Sequence, residues 1–316
     1  MTQALTIDDI NAAADRIQPW VHVTPVMQSG SVDEATGAQV HLKCEHLQRS
    51  GSFKARGAYN KMLSLTDEQR GAGVVAVSSG NHGAAVALAA RSLGVEATVF
   101  MPQDAPELKR RATEAYGAGV VTFDRSTPDR DALAIRHSRE HGSTIMEPYD
   151  DHIVMAGAGT AALELSGQAG FDVVVVPVSG GGLMAGSATA LRATLPGVHI
   201  VGVEPATAND TERSLEAGEP IEVPDPQTVA DGLAIPKPGR LTFPIVAELV
   251  DEIVTVEDAD TLMAMRFLFE RTKQVVEPSG AITLAAAMTG RYRGQSVALM
   301  ASGGNIGAAQ FAALCG

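Results

Sequence analysis

Three glycine-bearing turns and one lysine carry the residues best suited to chemistry. Ser179-Gly180-Gly181-Gly182 follows the apolar run FDVVVVPV and opens the helical pattern LMAGSATALRATL. That places it at the carboxyl end of a strand and at a helix N-terminus, where open α/β sheets bind ligands. Glycines let the backbone approach an anion, and the free N–H groups with the helix dipole favour a phosphate. One glycine would serve a plain turn; three exceed that need. Ser78-Ser79-Gly80-Asn81-His82-Gly83 also ends a strand and opens a helix. Capping by Ser79 or Asn81 would explain part of it, and a lone histidine is more often packed than catalytic. Ser302-Gly303-Gly304-Asn305 is a third such turn, after SVALMA. The lysine stands in Ser52-Phe53-Lys54-Ala55-Arg56-Gly57, which by itself reads as a solvated helix start.

Which phosphate the triple-glycine turn would hold is a separate question. It lacks the Lys-Ser/Thr ending of a nucleoside triphosphate loop. It does match the weak dinucleotide pattern through Gly180, Gly182 and Ala185, with Glu204 near the spacing of a ribose-binding acid. On this segment alone a nicotinamide oxidoreductase competes. Glu204-Pro205-Ala206-Thr207-Ala208-Asn209-Asp210 reads, on spacing alone, as an acidic surface loop.

The turns need strands and helices to hold them. VVAVSS, EATVFM, VVTF, STIM, FDVVVVPV, HIVGVE and SVALMA read as strands. Helices are predicted over GNHGAAVALAARSLG, HIVMAGAGTAALELSGQ and LMAGSATALRATL. Others are predicted from about Pro106 to Tyr116, Pro128 to Glu140, Asp258 to Lys273 and Ser279 to Thr289, with a short one last. This alternation means βαβ units and parallel sheets with helices on both faces. A helix capped by Thr6 and the strand VHLKCEHLQ come first, and Pro220–Pro238 reads as a long surface loop. The 316 residues are about twice a typical domain. The expectation is an α/β fold with two open, mostly parallel twisted sheets flanked by helices. A small domain over 66–145 would sit beside a large one made of 1–65 and 146–316.

Composition narrows the class. Hydrophobic residues at 45% supply a core. Lys+Arg 24 against Asp+Glu 37, net −13, lacks the basic footprint that nucleic acid or an anionic membrane would need. No apolar run approaches the roughly 20 residues of a membrane span. Two cysteines, Cys44 and Cys315, exclude a disulfide framework and fit a reducing compartment. The start, MTQALTIDD, has no secretory signal pattern, so a cytoplasmic location is expected.

Together SFKARGA, SSGNHG, SGGGLMAG and SGGN, in that order between residues 50 and 306, resemble the pyridoxal-phosphate enzymes of the second fold type, the tryptophan-synthase-β class. Within it the motifs are most similar to those of serine/threonine dehydratases and serine racemases. The resemblance implies that Lys54 holds pyridoxal phosphate as a Schiff base and, once freed, removes the Cα proton. Ser179, Gly180, Gly181, Gly182 and Leu183 would cradle the phosphate. Asn81 would bond the ring hydroxyl and Ser302 would face the pyridine nitrogen. Phe53, Gly232 and Glu277 match positions near the ring. Ser78, Ser79, Asn81 and His82 would hold an amino-acid substrate, and Ser79 matches the second acid/base of the racemases. A serine at the pyridine nitrogen leaves the ring a weaker electron sink than a carboxylate would, which favours expelling a β-substituent. The implied activity is loss of the β-hydroxyl of serine, threonine, hydroxyaspartate or phenylserine to give a 2-oxo acid and ammonia, with racemisation as the alternative. Metal-dependent members imply magnesium, calcium or manganese on Glu204, the Ala208 carbonyl and Asp210. The family further implies a homodimer. A C-terminal regulatory domain like that of biosynthetic threonine dehydratases is not expected after SGGN.

Overall fold

The computed structural model describes residues 5–105, 107–124 and 129–316. Pro106 and Pro128, where two helices are predicted to begin, lie outside the described residues; the described helices run Glu107–Ala115 and Asp131–His141. Ten strands form two sheets among the described residues. They are β1 (Val26–Met27), β2 (Gln39–Lys43), β3 (Val74–Val77), β4 (Ala97–Pro102), β5 (Gly119–Phe123), β6 (Thr144–Ile145), β7 (Val173–Pro177), β8 (His199–Pro205), β9 (Glu252–Val256) and β10 (Ser296–Met300). One sheet has the order β1-β2-β10-β7-β8-β9, the other β5-β4-β3-β6. Every pairing is parallel except β1 with β2.

The central strand β7 shows why the sequence takes this form. All five of its residues are buried, because helices cover both faces. Val173 and Val175 enter one core with Ala281, Leu284 and Ala285 of the helix Pro278–Met288. Val174 and Val176 enter another with Met184, Ala185 and Ala188 of the helix Gly182–Thr194. The period of two along a strand makes that division. A third core lies on the smaller sheet, where Val74, Ala76, Val99 and Met101 meet Ala85, Val86 and Ala89 of the helix Asn81–Leu93. Ala55, Ala58, Tyr59 and Met62 of the helix Lys54–Ser64 belong to this third core. The same helix crosses His152–Gln168, where a Cβ on Gly157 would lie 2.6 Å from the Arg56 carbonyl oxygen. The lysine-bearing helix is therefore wedged between the sheets.

The predicted strands and long helices are present, shifted by a few residues at their ends. The helices Gly30–Thr36, Asp67–Ala72, Asp210–Ala217 and Thr242–Leu249, and the strands β1 and β9, are additions. Each is too short for its period to stand out. The predicted helix from Asp258 is regular to Phe267 and widens into a π-helical turn over Leu268–Thr272. Among the described residues no helix is long and apolar enough to cross a membrane.

Candidate active site

Lys54 opens its helix, and protein atoms crowd its amine while part of its surface opens on the cleft. The amine donates to the Pro148 carbonyl at 2.7 Å and lies 5.1 Å from the centre of the Phe53 ring. Burial lowers its pKa from the ordinary value near 10.5 to about 8. Two residues on, Arg56 is fully buried rather than solvated. Its guanidinium pairs with Glu45 and Glu164, each at 2.8 Å, and Lys43 shares Glu164 at 2.8 Å. On the other flank, the Phe53 N–H donates to the Ser302 carbonyl at 3.0 Å, and Ser52 bridges Gly303. The lysine segment is thus stitched to the third glycine turn.

In the triple-glycine turn, Ser179 (φ 55°) and Gly181 (φ 90°) are left-handed, an arrangement that gathers successive N–H groups into a concave anion nest. The helix Gly182–Thr194 starts at once, so the N–H groups of Gly182, Leu183 and Met184 have no acceptor within it. The glycines are needed for space as well as rotation. A Cβ on Gly180 would lie 2.5 Å from the Tyr149 ring, and one on Gly181 2.7 Å from the Thr242 hydroxyl. That hydroxyl donates to the Gly180 carbonyl at 2.7 Å. Lys54, Phe53, His82, Gly182 and Leu183 line one cavity between the sheets. A lysine amine of lowered pKa and a helix-start turn on the same cavity fit a phosphorylated aldehyde. The amine suits its carbonyl carbon, and the N–H groups suit its phosphate.

The other residues predicted to meet cofactor or substrate lie outside the lining of this cavity, on the glycine turns and the segments bonded to them. The Ser78 hydroxyl accepts from the Gly80 N–H at 3.2 Å, and Ser79 is half-buried beside it. Asn81 donates to the Glu277 carboxylate at 2.5 Å. Burial, aided by Asp231, raises Glu277 to about 7. The His82 imidazole lies 2.7 Å from the Met146 carbonyl, which can only accept, so Nε2 carries the proton. Burial, with Lys54 nearby, holds His82 down at about 3 and therefore neutral. The Ser179 hydroxyl donates to the Gly232 carbonyl at 2.9 Å, and the Gly232 N–H donates to the Ser279 hydroxyl at 3.0 Å. The Ser302 hydroxyl donates to the Ser279 carbonyl at 3.3 Å, which closes the string.

A family model described as pyridoxal-phosphate dependent enzyme matches residues 17–303. The chain belongs to the pyridoxal-phosphate dependent enzymes. It is 45% identical to an L-threo-3-hydroxyaspartate ammonia-lyase of a Pseudomonas species, over 99% of both chains. It is 42% identical to a serine racemase of Schizosaccharomyces pombe, over 97% of this chain and 96% of that one. Among solved structures, a serine racemase of maize superposes with a TM-score of 0.94 at 40% identity, covering 97% of this chain and 95% of that one. The second fold type expected from the motifs is the fold observed.

In this pyridoxal-phosphate dependent enzyme, Glu204, Ala208 and Asp210 stand apart from the cavity, where β8 ends and the helix Asp210–Ala217 begins. The Glu204 carboxylate accepts the N–H groups of Thr211 at 3.2 Å and Glu212 at 3.0 Å. Being 1% exposed, it is out of reach of a ribose, which removes the support that the nicotinamide alternative drew from it. Both carboxylate oxygens of Asp210 are buried without a hydrogen-bond partner. Burial raises Glu204 to about 7 and, with Glu204 beside it, Asp210 to about 8. Among the described residues no group of three or more His, Cys, Asp or Glu side chains is placed to hold a metal. Pro148 at the cavity, and Tyr149 and Thr242 against the triple-glycine turn, escape a reading of the sequence, and so does the burial of Arg56. Only the position of Pro148 and Tyr149, just past the end of β6, could have flagged the first two.

Proposed function

We propose that the chain is an ammonia-lyase that removes the β-hydroxyl of a β-hydroxy amino acid, such as serine, threonine or 3-hydroxyaspartate, to give a 2-oxo acid and ammonia. The observation that carries this reading is the Lys54 amine of lowered pKa, sharing a cavity with the triple-glycine turn. Bound there, pyridoxal phosphate supplies the electron sink for the carbanion at Cα. The chain's residues do the rest. The N–H groups that open Gly182–Thr194 bind the phosphate. Lys54 would hold the aldehyde carbon, and its free amine would take the Cα proton on Nζ. The Pro148 carbonyl aims that amine. Ser78, Ser79 and the N–H groups opening Asn81–Leu93 hold the substrate carboxylate. His82, neutral, adds no positive charge that would depress the amine further. The Ser302 hydroxyl, turned away from the Ser279 carbonyl that it now meets at 3.3 Å, would donate to the pyridine nitrogen, and Phe53 and Gly232 would border the ring.

Burying two carboxylates side by side calls for a proton or a cation, and the orphaned oxygens of Asp210 suit a cation. The proposal therefore includes magnesium, calcium or manganese on Glu204, the Ala208 carbonyl and Asp210. It also includes a homodimer in a reducing cytoplasm, and a division into a small unit over 66–145 and a large unit from the remainder.

Borohydride treatment of the purified protein, followed by peptide mass spectrometry, is expected to find a pyridoxyl group on Lys54. Lys54→Ala is expected to lower kcat by at least about 10³-fold. Both enantiomers of serine, threonine, 3-hydroxyaspartate and phenylserine should be assayed for keto acid, ammonia and inverted product. Inverted amino acid without keto acid would replace the lyase reading by racemisation, which Ser79 and the 42% identical serine racemase support. Full activity of Lys54→Ala would remove the assigned base.

A further inference from the structure

Asn305 closes the SGGN turn, and neither the sequence motifs nor the proposed chemistry gives it a task. Its side-chain nitrogen donates twice, to the Ser50 carbonyl at 2.6 Å and to the Asn81 side-chain oxygen at 2.8 Å. A backbone carbonyl accepts and cannot donate, so the first bond fixes which end of the Asn305 amide is nitrogen. The second bond then fixes Asn81. Its oxygen must face Asn305, and its nitrogen faces Glu277 at 2.5 Å. An amide nitrogen carries two protons. Glu277 takes one, which leaves the other available to a ring hydroxyl of the cofactor.

The local backbone is shaped around this contact. Ser50 is a non-glycine residue at φ 57°, and its carbonyl is the one that accepts from Asn305. Gly51 is left-handed at φ 76°, and a Cβ there would lie 2.2 Å from the Asn305 side-chain oxygen. A Cβ on Gly303 would lie 2.1 Å from the Glu277 carboxylate. Two glycines and one unusual serine thus accommodate the string Ser50–Asn305–Asn81–Glu277.

We propose that Asn305 is a positioning residue that sets the amide orientation of Asn81, so that Asn81 presents an N–H rather than a carbonyl to the cofactor's ring hydroxyl. This rests on the pyridoxal-phosphate reading above and adds to it a residue that reaches the cofactor only through another. Without Asn305 only Glu277 holds the Asn81 amide, and a protonated Glu277 can donate as well as accept, so the amide can then turn over and an oxygen facing the hydroxyl oxygen would repel it.

The test compares cofactor-stripped wild type, Asn305→Asp, Asn305→Ala, Asn81→Ala and Asn81→Ala/Asn305→Ala. Each is titrated with pyridoxal phosphate and with 3-deoxypyridoxal phosphate, which lacks the ring hydroxyl. The wild type is expected to prefer pyridoxal phosphate by about tenfold, the worth of one well-made hydrogen bond. Asn305→Asp and Asn305→Ala should cut that preference to about twofold. In the Asn81→Ala background, removing Asn305 should change it no further. A full preference in a folded Asn305 variant, or none in the wild type, overturns the proposal. If the variants do not fold, a wild-type crystal structure at a resolution that reveals amide hydrogens decides it. Oxygen of Asn81 facing Glu277 would refute the orientation. Failure of the underlying reading shows differently, as absence of any Lys54 adduct after borohydride.

Discussion

Keeping a charge on a buried ammonium costs more than keeping it in water, and Lys54 carries that cost in the folded chain. Its pKa is about 8 when folded, against roughly 10.4 for a lysine in an unfolded chain. A folded pKa below the unfolded one gives stability that is complete above about pH 10.4 and is lost as pH falls through 8. At pH 7 the loss is up to about 3 kcal/mol. Lys54→Met should therefore make the cofactor-stripped protein more stable than wild type at pH 7. The gap should close between pH 8 and 10, as read by urea titrations across that range. A gap independent of pH would mean that the amine is not desolvated. The same shift predicts that reconstitution with pyridoxal phosphate speeds up as pH rises to about 8 and levels off above it, followed by stopped-flow absorbance. The lysine was visible in the sequence because a known motif surrounds it. The burial of Arg56 was not, because its partners lie 11 and 108 residues away.

Single helices and turns here depend on what is absent as much as on what is present. A methyl on Gly180 would strike the Tyr149 ring, whose buried phenol is pushed up to about 12. Gly180→Ala should weaken pyridoxal phosphate binding by tenfold or more. Adding Tyr149→Ser should recover part of the loss by clearing the ring, as equilibrium dialysis would show. The helix Lys54–Ser64 depends on charge in the same local way. Arg56→Met strands Glu45, which has no exposed side-chain surface, and should cost about 3–5 kcal/mol in chemical denaturation. Arg56→Lys should recover little, since a single ammonium cannot present the guanidinium fork to two carboxylates. The glycine turns were legible because several glycines at a strand end exceed what a reversal needs. Tyr149 and Thr242 were not, since their contacts join segments 31 to 62 residues apart that only the tertiary fold brings together.

At the scale of the molecule, parallel sheets direct one set of strand ends toward the chemistry. Ser78, Ser179 and Ser302 each follow the carboxyl end of a strand, β3, β7 and β10, and Glu204 lies near that of β8. Adding magnesium, calcium or manganese to chelator-treated protein should raise its Tm, by the equivalent of about 2.7 kcal/mol at a hundredfold excess over Kd. Asp210→Asn should abolish the rise; no rise in wild type would mean that the carboxylate pair keeps a proton instead. The two sheets were predictable from alternating runs, but β9, whose apolar run is interrupted by Thr255, and the two-residue antiparallel β1 were not. The opposite rim carries none of these groups. Gly170 and Gly197 precede β7 and β8 there, and a side chain at either would meet nothing within 4 Å. Peptide tags, fluorophores or a fused carrier domain grafted at those bends should leave catalysis intact, which makes that rim the place from which to immobilise the enzyme.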